Sequence, residues 1–287
     1  MSFRISARSV PLLLLLAACG GVPEGEGAGE GVQAAEQSIV RGEIDSGHAQ
    51  VMALMIPNLD GTETLCSATL YSKRTLVTAA HCLTNAAIVF AYHGNDFFGD
   101  FEQLAFEPST WTNWAMAVDW KLHPKWNPTT LNADIAVVHL DRDPPFRPLP
   151  LAVHDIGNRY KGDMVEIVGY GGIGSDDNVS TIDPYVKRSG FSTFQGSPKA
   201  RPLPPNPHPG LGNAKIRAQL MELKGADPLA NPCFGDSGGP ALMEFFGKQH
   251  LVGVGSWTGD FCEEFSYYVR VHDFLPFLIT QALKAPR

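Results

Sequence analysis

Gly235-Asp236-Ser237-Gly238-Gly239-Pro240 is the stretch on which the fold turns. A serine hydroxyl is a poor nucleophile at neutral pH. It needs a base within hydrogen-bond reach and preorganised donors facing the oxyanion that its attack creates. This segment can supply the donors itself, because the backbone N–H groups of Gly235 and Ser237 lie two residues apart. Glycine at 235 lets the main chain turn so that both aim at one point. A glycine-rich turn between strands is the plain alternative, and it leaves the Asp-Ser pair unexplained.

The base must come from elsewhere in the chain. Thr78-Ala79-Ala80-His81-Cys82 offers a histidine among small residues, directly after the apolar pair Leu76-Val77. A lone histidine is ordinarily a surface or satisfied core residue, and this chain has eight others. A third member should accept the histidine's other N–H, fix its tautomer and stabilise the imidazolium. Asp134 fits that role, at the head of the β-type run Ile135-Ala136-Val137-Val138. An aspartate there is otherwise simply a turn residue.

In the chain order His, Asp, Ser, these three segments resemble the chymotrypsin/trypsin family of serine peptidases. The resemblance covers most of residues 39 to 284. It implies two six-stranded antiparallel β-barrels with His81, Asp134 and Ser237 between them. On this resemblance Ser237 attacks a peptide carbonyl, His81 shuttles the proton, Asp134 orients His81, and the N–H groups of Gly235 and Ser237 form the oxyanion hole. Ile39-Val40-Arg41-Gly42 resembles the new amino terminus that such enzymes acquire on activation, and His123-Pro124 precedes the aspartate segment as in family members. The freed Ile39 ammonium would pair with Asp236, a carboxylate costly to bury without a partner.

The chain has five cysteines: Cys19, then Cys66, Cys82, Cys233 and Cys262. Four cysteines allow three pairings, which sequence alone leaves open. The resemblance implies Cys66 with Cys82 across the histidine loop and Cys233 with Cys262 across the specificity pocket. Each bridge would contribute roughly 3 kcal/mol through loop entropy, and the pair implies an oxidising compartment.

Residues 1–18 read as a signal peptide: Arg4 and Arg8 precede Pro11 to Ala18, an apolar core too short to span a bilayer. Leu16-Ala17-Ala18-Cys19 resembles a bacterial lipobox, which would make Cys19 a lipidated first residue. An ordinary signal peptide leaving a free thiol is the alternative. Residues 19–38 are Gly/Glu-rich and read as a flexible pro-segment and tether. The expected location is exported, at a bacterial cell envelope through the lipid anchor, or secreted once cleavage before Ile39 removes the tether.

Residues 39–287 read as one all-β peptidase domain, with one barrel over about 39–150, another over about 151–270 and a C-terminal helix over about 273–284 capped by Asp273. Short apolar or alternating runs such as Val51 to Ile56, Met164 to Val168 and Leu251 to Val254 carry the β reading. Net charge is −8 without a basic stripe, which speaks against nucleic acid as a partner. The expected partner is a polypeptide substrate, met by a monomer, with no cofactor and no metal. Asn95, Asp96, Asp100 and Glu102 form an oxygen-rich loop without the spacing of a recognised calcium site. The proline-rich stretch 200–210 reads as a stiff surface excursion.

For the specificity pocket the resemblance points to Asn231, six residues before the serine, with Ser256, Trp257, Thr258 and Ser266 on its walls. Asn231 replaces the aspartate that pairs with Arg or Lys in trypsin-like members. Thr258 and Ser266 stand where wide pockets carry glycine. Together they imply a short, uncharged pocket for small or polar side chains. Ser38 before Ile39 is such a residue, which implies self-activation. Two rival functions remain: a catalytically inactive binding module on the same fold, and an esterase using the same triad. No βαβ alternation surrounds Ser237 to support an α/β-hydrolase.

Overall fold

The structure is a computed structural model that describes residues 39–103, 112–171, 185–198, 208–259, 262 and 264–285. The readings of residues 1–38, Cys19 among them, and of 200–207 lie outside the described residues.

The short β-branched and apolar runs form strands. The first set is β1 (Glu43–Ile44), β2 (Val51–Pro57), β3 (Glu63–Ser72), β4 (Thr75–Thr78), β5 (Phe90–Tyr92), β6 (Trp114–Leu122) and β7 (Ala136–Leu140), with helix α1 (Ala80–Leu83) after β4 and α2 (Phe97–Gln103) after β5. The second is β8 (Met164–Gly169), β9 (Arg188–Gly196), β10 (Leu220–Gly225), β11 (Pro240–Phe245), β12 (Lys248–Thr258) and β13 (Glu264–Arg270), with α3 (Ala214–Ala218) before β10 and α4 (Leu275–Lys284) at the end.

Strands β2-β3-β4-β7-β6-β5 close into one barrel, and β8-β9-β10-β13-β12-β11 close into another through the β8–β9 and β8–β11 pairings. Closure leaves no edge strand in either ring. Each barrel has its own apolar filling: Met52, Leu54, Ile56, Leu70 and Leu76 in the first, Ile39, Ile167, Leu223 and Val252 in the second. A third cluster joins residues of both, including Val51, Val77, Tyr170 and Val254. Between Leu149 and Ala152 the chain passes from the first barrel to the second. Leu149 N–H donates to the Leu70 carbonyl of β3, while Ala152 N–H donates to the Leu251 carbonyl of β12.

Strand β1 does not join the barrel that follows it in sequence. It pairs with β9, Glu43 against Ser189 and Ile44 against Arg188, so the residues just after Ile39 belong to the second barrel's sheet.

The C-terminal helix differs from expectation at its start. Residues Val271–Phe274 form a 3-10 turn, and α4 begins at Leu275 with Phe274 in the capping position and no side-chain cap. Asp273 therefore lies inside the turn, 3.7 Å from Arg270 Nε and 3.6 Å from His272 Nδ1. Pro276 sits in the first turn, where its missing N–H costs nothing. The inward face is as expected, with Phe274 and Leu278 buried and Phe277 and Ala282 packed beside them. Tyr71 Oη donates to the Leu278 carbonyl (2.9 Å) and His139 Nε2 to that of Gln281 (3.0 Å), fastening α4 to the first barrel.

Candidate active site

The histidine and aspartate come from the first barrel. His81 lies in α1, one short turn after β4, and Asp134 lies just ahead of β7, which pairs with β4 in register Thr78 to Ala136. That pairing brings the two segments side by side. Asp134 is fully buried. Its carboxylate accepts three hydrogen bonds: from the His81 backbone N–H (2.8 Å), from His81 Nδ1 (2.8 Å) and from Ser256 Oγ (2.7 Å). Burial works against charge on His81, but the Asp134 charge and its hydrogen bond outweigh it, and the imidazole pKa is raised above 6.5. The turn into Asp134 is strained, since Leu131 and Ala133 both sit at φ 51° without being glycine.

The second barrel brings the serine. Gly235 at φ 96° and Gly238 at φ 82° use the left-handed freedom that only glycine has without cost. At Gly238 a Cβ would also meet Thr78 Oγ1 at 2.0 Å and the Ser67 carbonyl at 2.3 Å, so the serine loop seats directly on the first barrel there. Ser67 N–H donates to the Ser237 carbonyl (2.8 Å) and Ser67 Oγ to the Gly235 carbonyl (3.1 Å). Ser67 is thus a supporting residue that motif reading passed over. His81 and Ser237 line one cleft of about 300 Å³ with Leu131, Phe234, Ser256, Trp257 and Thr258.

Asp236 points the other way, into the second barrel. It is 2 % exposed, and its carboxylate accepts the Gly171 N–H (2.7 Å) and the Cys233 N–H (2.8 Å). The Ile39 backbone also bonds to it. Burial pushes its pKa up to about 6, against the pull of those backbone donors. The pocket is shaped by glycines: a Cβ on Gly169 or Gly171 would stand 2.1 or 2.6 Å from Asp236 atoms. Ile39 is itself fully buried, at φ 41°, an outlier for a β-branched residue.

The expected pocket residues separate into two levels. A second, small cavity of about 20 Å³, room for about one water-sized group, is lined by Cys233, Ser237, Ser256, Trp257, Thr258 and Tyr268 among others. Asn231 and Ser266 are not on its walls. Both are fully buried, and Asn231 Nδ2 donates to the Cys262 carbonyl (2.9 Å) and to Thr258 Oγ1 (3.3 Å). A threonine on the cavity wall is thus hydrogen-bonded to the buried asparagine.

Both disulfides form as the resemblance implied, Cys66–Cys82 and Cys233–Cys262, with Cα–Cα distances of 6.3 and 5.0 Å. Cys66, His81 and Cys82 bring ligand-type atoms within 4.8 Å of one another, but the disulfide engages both sulfurs, so this trio is no metal site. In the oxygen-rich loop, Asp100 accepts from Tyr92 Oη (2.7 Å) and Asn113 Nδ2 (2.9 Å).

The end of the proline-rich stretch is not a surface excursion. His208 is buried, with its ring 6.3 Å from that of Trp257 and 5.8 Å from that of Tyr267, and its Nδ1 accepts the Gly210 N–H (2.9 Å). Burial lowers its pKa to about 4 despite the nearby Asp134 charge, so it is neutral and backs the cleft as a packing residue.

Residues 39–278 match the family model described as Trypsin, and the chain belongs to the trypsin-like serine peptidase family. Among similar curated proteins, an inactive serine protease, PAMR1, of Bos taurus is 27% identical over 216 residues, covering 68% of this chain and 29% of that protein. The chain spans 29% of that relative's length. A collagenase of Hypoderma lineatum is 24% identical over 204 residues (69% of this chain, 68% of that protein), and a chymotrypsin of Phaedon cochleariae 24% over 234 (79% and 76%). The solved structure of HL collagenase shares the fold, with a TM-score of 0.63 at 21% identity over 82% of this chain and 93% of that one.

Proposed function

We propose that this chain is a serine endopeptidase made as a zymogen and activated by cleavage between Ser38 and Ile39. The observation that carries the reading is the relay Ser256–Asp134–His81, hydrogen-bonded at 2.7 and 2.8 Å and opening on a cleft shared with Ser237. Asp134 holds the His81 proton on Nδ1, leaving Nε2 as the base. Ser237 Oγ attacks the substrate carbonyl carbon while His81 takes its proton. The oxyanion meets the N–H groups of Gly235 and Ser237. His81 then gives the proton to the leaving amine, and water repeats the sequence on the acyl-enzyme.

Activation would complete the Asp236 site. In the uncut chain Ile39 reaches that carboxylate only with a peptide N–H and from a strained φ. Cleavage removes the strained torsion and supplies an ammonium, the charge that a buried carboxylate lacks. The substrate reading follows from the small size of the cavity beside Ser237, about 20 Å³: a small, uncharged side chain before the scissile bond, not Arg or Lys. Ser38 meets that requirement, so the enzyme is its own candidate activator. Disulfides accord with export, and the motif around Cys19 supports a lipid-anchored precursor at a bacterial envelope, released by the same cleavage.

Fluorophosphonate labelling read by intact mass tests this on three proteins: the form beginning at Ile39, the form retaining residues 19–38, and Ser237→Ala. Labelling of the Ile39 form alone is expected. The relative described as inactive favours a second reading, a binding module on the same fold, and that reading requires folded protein that labels in none of the three.

A further inference from the structure

Arg41 follows the proposed cleavage bond by two residues, and the chemistry above makes no use of it. Its backbone lies at φ 63°, left-handed for a residue with a side chain. Its guanidinium reaches the loop after β10, where Nε donates to the Leu229 carbonyl (2.6 Å) and a terminal nitrogen to the Gly225 carbonyl (2.9 Å). That loop is tight. A Cβ on Gly225 would come 1.9 Å from the Ala230 carbonyl oxygen. It leads straight to Asn231, which lies off the small cavity but bonds one of its walls: Asn231 N–H donates to the Val40 carbonyl (3.2 Å), and Asn231 Nδ2 donates to the Cys262 carbonyl and to Thr258 Oγ1. The Val40 contact is main chain, open to any residue. The paired contacts of Arg41 need a planar fork with fixed spacing.

We propose that Arg41 is a positioning residue: its guanidinium couples seating of the Ile39 segment to the order of the Gly225–Asn231 loop, and through Asn231 to the shape of the substrate cavity. This rests on the activation reading above. A loop ordered only part of the time binds substrate with an affinity reduced by the ordered fraction, whereas saturating substrate restores the order. The coupling is reciprocal, so a disordered loop also loosens Ile39.

The test uses the form beginning at Ile39, as wild type, Arg41→Ala, Arg41→Lys and Arg41→Gly. The readouts are hydrolysis of a peptide anilide with alanine before the scissile bond across pH, and the rate at which cyanate carbamylates the Ile39 amine. For Arg41→Ala, KM should rise about tenfold, the loss expected from charge-assisted hydrogen bonds, while kcat stays within about threefold. The alkaline midpoint at which activity is lost should fall by roughly one pH unit, and carbamylation should speed up. Arg41→Lys should fall between, keeping the charge without the fork. Arg41→Gly relieves the left-handed backbone yet removes the clamp, and should follow Arg41→Ala. A glycine variant equal to wild type in KM and carbamylation rate would show that the backbone, not the guanidinium, matters and would overturn the proposal; so would an alanine variant unchanged in both. Should the alanine variant fail to fold, the lysine and glycine variants decide it. If the uncut wild type is as active as the Ile39 form, the activation reading fails, while the effect of Arg41 on KM is still read in each form. If no form hydrolyses the anilide, carbamylation alone decides.

Discussion

The surroundings of Asp134 and of Asp236 make opposite use of the same buried side chain. Asp134, at 0 % exposure, accepts a serine hydroxyl, a backbone N–H and an imidazole N–H, the last from a ring that can itself take up charge. Asp236, at 2 % exposure, is held by backbone donors, and its pKa rises to about 6. One site carries its counter-charge in the folded chain. On the proposed activation, the other awaits a counter-charge that arises only when the bond before Ile39 is cut. The contrast teaches that burial does not set a carboxylate's role; the availability of a cationic partner does.

The strongest way to break this comparison is to neutralise Asp134 without changing its shape. Asp134→Asn should lower kcat/KM by about four orders of magnitude, the size established for the equivalent change in the family's reference triad. The amide would hold His81 in the wrong tautomer. Far-ultraviolet circular dichroism should remain that of the parent. A loss below about tenfold would remove His81 from the role of base.

Asp236 should show itself in stability rather than rate. Its folded pKa of about 6 lies above its unfolded value of 3.8, so the uncut fold keeps a proton that the unfolded chain releases. The uncut form should therefore lose stability as pH rises from about 4 to about 6, by about 3 kcal/mol in all, and change no further above that. The form beginning at Ile39 should lack this loss, because an ammonium then favours the carboxylate. Guanidinium unfolding of Ser237→Ala in both forms, compared pH by pH, cancels the titrating groups that the two forms share. Parallel curves would sink the pairing of Ile39 with Asp236. A smaller effect is expected from crowding the same carboxylate: Gly169→Ala places a methyl 2.1 Å from Asp236 Oδ1 and should cost about 2 kcal/mol in the same assay.

The two sites were not equally legible in the sequence. The serine loop and the histidine segment are read from contiguous residues, because the chemistry demands particular side chains and glycines next to one another. Asp134 is placed by its position ahead of a β-type run. What could not be read depends on distant partners. Arg41 bonds carbonyls 184 and 188 residues away. Ser67 supports the Ser237 loop from the opposite barrel. Positions 231, 258 and 266 read as one pocket, yet only the packing shows that Thr258 lines it while Asn231 and Ser266 are buried off its walls. His208 reads as part of a surface loop because prolines surround it in sequence, while aromatic rings pack against it in space. The Asp273 cap failed for a local reason, a 3-10 turn that delays α4 by one residue past Phe274.

The finest discrimination lies in the third donor to Asp134. Ser256→Ala removes one hydrogen bond of 2.7 Å, worth roughly 1.5 kcal/mol for a charged acceptor, so kcat/KM should fall only about tenfold. The pH profile carries more information than the rate. As the proposed base, His81 must be neutral to act, and Asp134 raises its pKa, so the acid limb of kcat/KM should have its midpoint above 6.5. Folding stability from this pair runs the other way: it is fully present below 6.5 and is lost as pH rises through the folded value. Without Ser256 the carboxylate shares its charge with fewer donors and pulls harder on the imidazolium, so the acid limb should move upward by less than about one unit. Asp134→Asn should move the same limb downward. Opposite displacements from two substitutions at one carboxylate would identify Ser256 as a modulator of charge on Asp134, whereas a shift in the same direction would reduce it to packing.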